Sequence, residues 1–271
     1  MNLGVEYLSN KYIKPTNENV NDRIKNQLAD RDSLFWEAIN SFINDSSVSF
    51  EDILQNYPAF IRRRDLPRLL AHYELFKLIK DIPGSIAELG VFLGAGLFSF
   101  SKLMETFCPG DRSRKIYGFD SFNGYQNFKT VYDGESQDWV KESIGNKKSN
   151  YQMMQKLCDI NNLDNFIPGV ERAVIIPGDV MQTVPKFASE PNGLRLSLLY
   201  FDINLYEPTL VGLKHLYPLV VPGGVVAFNG YGIPPWEGEA KALEEFFSGQ
   251  KVPKMQTFDF SHIPSAYFIK D

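Results

Sequence analysis

Residues 85–103 read SIAELGVFLGAGLFSFSKL. A short apolar strand, SIAEL, runs into a turn containing Gly90, Gly94 and Gly96, and an apolar helix pattern follows over 97–107. Strand, glycine turn and helix in that order open an α/β unit. The backbone can approach a ligand at the turn, and the helix offers its amino end. The glycine spacing is Gly-x-x-x-Gly-x-Gly, not the Gly-x-Gly-x-x-Gly of a dinucleotide binder. Glu88 stands just before the turn, where its charge would repel a pyrophosphate. It suits a ligand with a cationic or hydroxyl-bearing part. A tight strand-to-helix turn with no ligand would use the same glycines.

The pattern repeats on the C-terminal side. KIYGFD (115–120), ERAVIIPGD (171–179), RLSLLYFD (195–202) and GGVVAFNG (223–230) read as strands. Helices are predicted over 65–82, near 149–161, over 206–220, and over 238–249, the last closed by Gly249. Strands alternating with helices predict an α/β fold: a parallel, Rossmann-like sheet covered on both faces. MQTFDF (255–260) and SAYFIK (265–270) add a C-terminal antiparallel hairpin. Toward the N-terminus, residues 1–30 are polar, and helices are expected over 32–43 and 49–57, with Ser49 as N-cap of the second. These two helices cannot fill a core alone and read as a cap or a dimer surface. The expected division is an arm and helical cap over 1–80 and the sheet domain over 81–271, in a homo-oligomer.

Hydrophobic residues make up 44% of the chain, enough for a sizeable core and against global disorder. The net charge of −5 argues against a nucleic-acid partner held through phosphates. Cys108 and Cys158 form no metal spacing and no disulfide framework. No stretch approaches the roughly 18 apolar residues of a membrane span, and the N-terminus lacks an apolar signal core. A soluble, cytoplasmic protein without a membrane partner is expected.

In open α/β sheets the ligand lies beyond the carboxyl ends of the strands. At the second tip, GFDSFNG, Asp120 could accept both hydroxyls of a ribose, or Asp120 and Ser121 could shape a turn. At the third, Gly178 and Asp179 could border an adenine, with Asp179 accepting from its exocyclic amine, or form a simple turn. At the fourth, YFDINLYE (200–207), the side chains of Asp202 and Asn204 leave one face of an extended chain. At the fifth, Asn229-Gly230 could equally be a turn.

The ordered segments AELGVFLGAG, GFDSFNG, PGDVMQTVP, FDINLYEPT and LYPLVVPGGVVAFNGYG resemble the macrocin O-methyltransferase family, from about Phe60 to near the C-terminus. DSFNG, LYEPT and the LYP…PGG…YG series are the most specific parts. The resemblance implies a class I methyltransferase fold with S-adenosylmethionine as donor. It implies that Glu88, Gly90, Phe92 and the turn to Gly96 face the methionine part. It also implies that Asp120 and Ser121 hold the ribose, that Gly178 and Asp179 lie by the adenine, and that Asp202 contacts the cofactor.

Family members typically bind Mg²⁺ through an acid two residues after the strand-four Asp and an Asp-Asp pair before the Tyr-Gly of strand five. Those positions read Asn204, Asn229 and Gly230 here, so Mg²⁺ binding is not expected and no metal ligand is assigned. A sugar hydroxyl is a weak nucleophile that needs a metal or a base, and Asn204 cannot be that base. Three readings stay open. Asp202, His262 or His72 takes the proton of a hydroxyl; an amine or carboxylate is methylated instead; or the cofactor is bound without methyl transfer. The candidate catalytic set is Asp202, Asn204 and His262, with His72 also read as a packing residue and His215 as a surface one. Arg62, Arg63, Arg64 and Arg68 form a solvated face or a lid over an anionic acceptor such as a nucleotide-linked sugar. The expected activity is methyl transfer to a sugar or another small polar metabolite of a biosynthetic pathway. A nicotinamide-dependent oxidoreductase is disfavoured by the glycine spacing and Glu88.

Overall fold

Strand β1 (Ser85–Leu89) is buried at every position, as a strand covered by helices on both faces must be. A computed structural model describes residues 20–128, 131–133, 137–138, 140, 149–190 and 193–271, with only the backbone of 20–29. β1 sits at the centre of a six-stranded sheet of order β3-β2-β1-β4-β5-β6. Its companions are β2 (Ile116–Asp120), β3 (Ala173–Pro177), β4 (Leu196–Phe201), β5 (Val220–Phe228) and β6 (Ala266–Ile269). The first five are parallel and β6 runs antiparallel to β5. Strand order reverses between β1 and β4, so the tips of these two strands mark the crevice where such sheets bind ligands.

The chain divides into two compact units, residues 1–62 and 63–271. In the first, α1 (Val20–Asp45) is followed by α2 (Phe50–Gln55), and Ser49 caps α2 through a reciprocal capping box with Asp52. Arg62 pairs with Asp32 and lies over the rings of Phe35 and Trp36. The boundary falls ahead of the expected 80/81. The reason is α3 (Leu66–Ile79), which buries Ala71, Leu75, Phe76 and Ile79 in the sheet unit.

The remaining helices of the sheet unit are α4 (Ala95–Phe107), α5 (Tyr151–Leu163), α6 (Val180–Ser189), α7 (Tyr206–Leu216) and α8 (Gly238–Phe246). Alternation along the strands splits their side chains between two cores. Ile86, Leu198 and Val225 pack with Phe76, Phe100 and Met154, on α3, α4 and α5. Leu89, Phe201 and Phe228 pack with Val184, Leu213 and Leu243, on α6, α7 and α8. Burial of each such side chain stabilises the fold by roughly 1.5–3 kcal/mol.

Two details differ from the sequence reading. Helix α6 is not among the helices read from the sequence, where Gly178 and Asp179 could form a simple turn. Asp179 is in fact its N-cap, and Val180, Val184 and Phe187 form its buried stripe around the interior Pro185. At the C-terminus, β6 takes β5 as its antiparallel partner. Residues 255–260 contribute only the bridge of Gln256 to Tyr267, because 258–265 folds into turns.

Candidate functional site

The backbone ladder continues one residue past each central strand. Gly90 N–H donates to Phe119 O at 2.8 Å, Asp202 N–H to Leu89 O at 2.8 Å and Asn229 N–H to Phe201 O at 2.9 Å. The tips are therefore fixed relative to one another before any side chain is considered. Gly90 adopts φ +90°, and a Cβ there would lie 2.2 Å from the carbonyl oxygen of Asp202. Only glycine lets β1 pass this close to the tip of β4.

Glu88 is completely buried, and neither of its carboxylate oxygens has a hydrogen-bond partner. It leans on the first turn of α4, where a Cβ on Gly96 would come within 2.0 Å of its Oε1. Burial, and next the charge of Asp202, push its carboxyl well above the usual range. An orphaned carboxylate beside a helix amino end fits the α-ammonium of an amino-acid ligand, whose donors would satisfy it.

Asp120 anchors the glycine turn. Its Oδ2 accepts from Val91 and Phe92 N–H, each at 2.8 Å, and its Oδ1 accepts from Phe122 N–H at 2.7 Å. A carboxylate offers about four lone-pair sites, so room remains on Oδ1 for a ribose hydroxyl. Phe92 is held at φ 50° and is 45% exposed. Ser121 Oγ accepts from Asn123 N–H at 3.2 Å and shapes the turn. Gly178 takes φ +129°, and Asp179 Oδ1 accepts from Met181 N–H and from Asn127 Nδ2. Asp179 therefore has the structural role of a helix cap, with its second oxygen the one left for a ligand.

The strand-tip pattern expects Asp202 and Asn204 on one face of an extended chain, but β4 ends at Phe201 and the chain bends at Ile203. Asp202 Oδ2 accepts from Arg68 Nη2 of α3. Burial pushes the Asp202 carboxyl up to about 6, with Arg68 holding it below what burial alone would give. Asn204 takes a left-handed φ of 61°, which asparagine tolerates. Its Nδ2 donates to Tyr125 Oη at 3.2 Å, while its Oδ1 is buried without a partner. Tyr125 in turn stacks on Trp236, with ring centroids 5.5 Å apart. Across the tip, Asn229 Oδ1 accepts from Tyr200 Oη at 3.3 Å.

The histidines separate. His72 is buried between Phe100 and Tyr200. Burial and Arg68 lower it to about 3, so it stays neutral and is a packing residue rather than a base. His262 is exposed in the loop that leads to Ser265, whose N–H donates to Phe228 O at the tip of β5. The arginine run divides: Arg62 belongs to the first unit, Arg63 and Arg64 are exposed, and Arg68 enters the site.

Glu239 on α8 was not singled out from the sequence. It is completely buried; its Oε1 accepts from Asn204 N–H at 3.0 Å and its Oε2 from Gly230 N–H at 2.7 Å. One side chain thereby clamps the tips of β4 and β5. A signal was present: Glu239 shares a helical face with Ala242 and Leu243, an apolar stripe where an acid is out of place. Burial raises its carboxyl to about 8, against the restraint of the N–H donors. In the unfolded chain it titrates near 4.5, so the folded state holds the extra proton between these values. Stability should therefore fall as pH rises from about 4.5 to about 8. Thermal unfolding across that window should show the slope, and Glu239→Gln should flatten it.

The donor set does not fit Mg²⁺. Asp202 is already paired with a guanidinium, Asn204 and Asn229 are neutral amides, and Gly230 has no side chain; a small hard dication asks for charged oxygens. Among the described residues, no group of three or more His, Cys, Asp or Glu side chains could hold a metal ion.

A glycine turn tied to an acid on β2, an orphaned acid on β1 and a polar crevice at the β1/β4 switch point give the chain the class I methyltransferase fold. A model of the Macrocin-O-methyltransferase (TylF) family matches residues 60–263. The chain belongs to that family. It is 26% identical to an 8-demethyl-8-(2,3-dimethoxy-alpha-L-rhamnosyl)-tetracenomycin-C 4'-O-methyltransferase of Streptomyces olivaceus, over 58% of this chain and 56% of that protein. It is 24% identical to a mycinamicin III 3''-O-methyltransferase of Micromonospora griseorubida, over 72% of this chain and 73% of that one. Among solved structures, CalS11, a calicheamicin methyltransferase, superposes with a TM-score of 0.78 at 28% identity, covering 88% of this chain and 92% of that chain. No described helix is long and apolar enough to cross a membrane.

Proposed function

We propose that the protein transfers a methyl group from S-adenosylmethionine to a hydroxyl of a sugar, or of a similarly polar small molecule, in a natural-product pathway. It does so without Mg²⁺, and we assign it to the cytoplasm as a homo-oligomer. The observation that carries this reading is the pair of acids at the switch point: buried Glu88, with both oxygens orphaned, and half-buried Asp202 at the adjoining tip. Glu88 would take the amino-acid ammonium of the cofactor, Asp120 a ribose hydroxyl and Asp179 the adenine edge. When bound, the cofactor supplies an electrophilic methyl on a sulfonium.

The chain's own residues would then orient the acceptor and accept its proton. Asp202 is the base within the crevice, and Asn204 is the polar neighbour with an unsatisfied oxygen. The stacked Tyr125–Trp236 pair supports an aromatic wall for a sugar ring. Positioning of the acceptor against the methyl supplies much of the rate. The named relatives act on a rhamnosyl-tetracenomycin and on mycinamicin III, and one solved relative is titled a TDP-rhamnose 3'-O-methyltransferase. A nucleotide-linked sugar, met by the exposed Arg63 and Arg64, is the acceptor form we favour.

The test is incubation with S-adenosylmethionine and a panel of nucleotide-linked sugars and glycosides, following S-adenosylhomocysteine and product mass. Turnover unchanged in excess EDTA is expected. Activity abolished by EDTA and restored by Mg²⁺ would overturn the metal-independent mechanism. S-adenosylhomocysteine binding without transfer to any acceptor would favour a non-methylating protein on this fold.

A further inference from the structure

Arg68 is held by its helix and aimed at the site. It lies one turn before Ala71 and His72, both fully buried, so the backbone beneath it is fixed. Its Nη2 donates to Asp202 Oδ2, and its Nε is buried with no partner. The groups that act on the crevice around Asp202 are otherwise acids, phenols and the neutral ring of His72, which contacts Tyr200. Glu88 comes from β1, Asp120 from the tip of β2, Glu239 from α8, with Tyr125 and Tyr200 beside them. Among the charged groups that act on Asp202, Arg68 is the cation and the others are carboxylates. A carboxylic acid that keeps its proton cannot accept one from an acceptor hydroxyl. An opposite charge in contact is what keeps a buried carboxylate ionised.

We propose that Arg68 is a positioning residue for methyl transfer, a built-in counter-charge that keeps Asp202 ionised and turned toward the acceptor, in the role a dissociable metal would otherwise fill. The proposal rests on the reading of Asp202 as the base. In the step it serves, the acceptor O–H proton passes to the Asp202 carboxylate as the oxygen–methyl bond forms. The sulfur–methyl bond breaks with its electron pair retained on sulfur, leaving S-adenosylhomocysteine. Arg68 gives up no proton and remains a cation throughout. Its Oδ2 contact leaves Asp202 Oδ1 for the acceptor. The unpartnered Nε–H is a donor that an acceptor oxygen can satisfy.

The experiment uses the full chain with an acceptor that the wild type methylates. Arg68→Ala, Arg68→Gln and Arg68→Lys are compared for kcat and KM across pH, for S-adenosylhomocysteine affinity by calorimetry, and for rescue by added guanidinium ion. In Arg68→Ala and Arg68→Gln, kcat is expected to fall by about 10²-fold or more, the scale of a lost proton acceptor. The acidic limb of the kcat profile should move up by about 1–3 pH units, the effect of removing an opposite charge. Guanidinium should restore part of the rate, Arg68→Lys should keep more than Arg68→Ala, and S-adenosylhomocysteine should bind all three. Unchanged kcat and an unchanged limb would overturn the proposal, as would a lost rate with an unmoved limb and no rescue, which is a purely structural role. If Arg68→Ala does not fold, Arg68→Gln and Arg68→Lys decide by the same readouts. A wild type that binds S-adenosylhomocysteine but transfers no methyl group would instead overturn the methyltransferase reading, and this one with it.

Discussion

Asp202→Asn is expected to reduce kcat by about 10²–10⁴-fold, the range for loss of a general base. The amide keeps the shape of the carboxylate and the ladder bond from the residue 202 N–H to Leu89 O. It cannot accept a proton, so the loss falls on turnover more than on architecture. A second effect acts on stability, because the guanidinium of Arg68 is left facing a neutral group. Breaking a fully buried ion pair costs roughly 3–5 kcal/mol. The Arg68 side chain retains 30% exposure and that of Asp202 14%, so solvent compensates and the cost should lie below that range. Steady-state kinetics with the acceptor saturated, alongside urea unfolding, separate the two effects. Turnover of the Asp202→Asn variant close to wild type would move the base elsewhere, with exposed His262 the next residue to test.

Gly90→Ala carries the largest expected effect on folding. The added methyl would lie 2.2 Å from Asp202 O and 2.7 Å from Asp202 C, both backbone atoms of a residue whose N–H is bonded to Leu89 O of β1. Neither can rotate away as a side chain would. The residue also sits at φ +90°, outside the region L side chains favour. Backbone strain of about 1–3 kcal/mol and overpacking of about 1–3 kcal/mol act together here, so a loss of about 2–6 kcal/mol is expected. Gly249→Ala is the control: φ is +78°, and nothing lies within 4 Å of the position a Cβ would take. It should show the strain alone. Equal losses in chemical denaturation would show that the close approach at Gly90 is relaxed in solution. The Gly90 substitution should also weaken cofactor binding, because it displaces the tip that carries Asp202.

The central strands were legible because strands buried on both faces are continuous apolar runs that stop at a polar residue. The same stops drew attention to Asp120, Asp202 and Asn229 at the strand ends, while Glu88 stood out as an acid inside the apolar run of β1. Helix α6 was hidden because Pro185 signals a break, whereas the capped first turn and the stripe of Val184 and Phe187 carry the helix past it. Arg68 was hidden in a run of four arginines that reads as a solvated face. Only the packing of α3 shows that one of the four turns inward. Glu239 lies in a first helical turn, where an acid is ordinarily favourable with its charge in solvent. Its burial depends on α8 lying against α7 and on strand tips far away in sequence. Residues 255–260 show strand-like alternation, but alternation alone does not supply a partner.

The Glu239 clamp bears on how readily such a site could change its chemistry. The carboxylate that organises these strand tips is contributed by a helix and already bonds the backbone of Asn204 and Gly230. An acid placed at position 204 or 229 would join a crevice that already holds the carboxyl groups of Glu88, Asp120, Asp202 and Glu239. Supplying the several charged oxygens that Mg²⁺ asks for therefore takes more than one substitution. Asp202 would also have to be freed from Arg68, the guanidinium that its Oδ2 already accepts from.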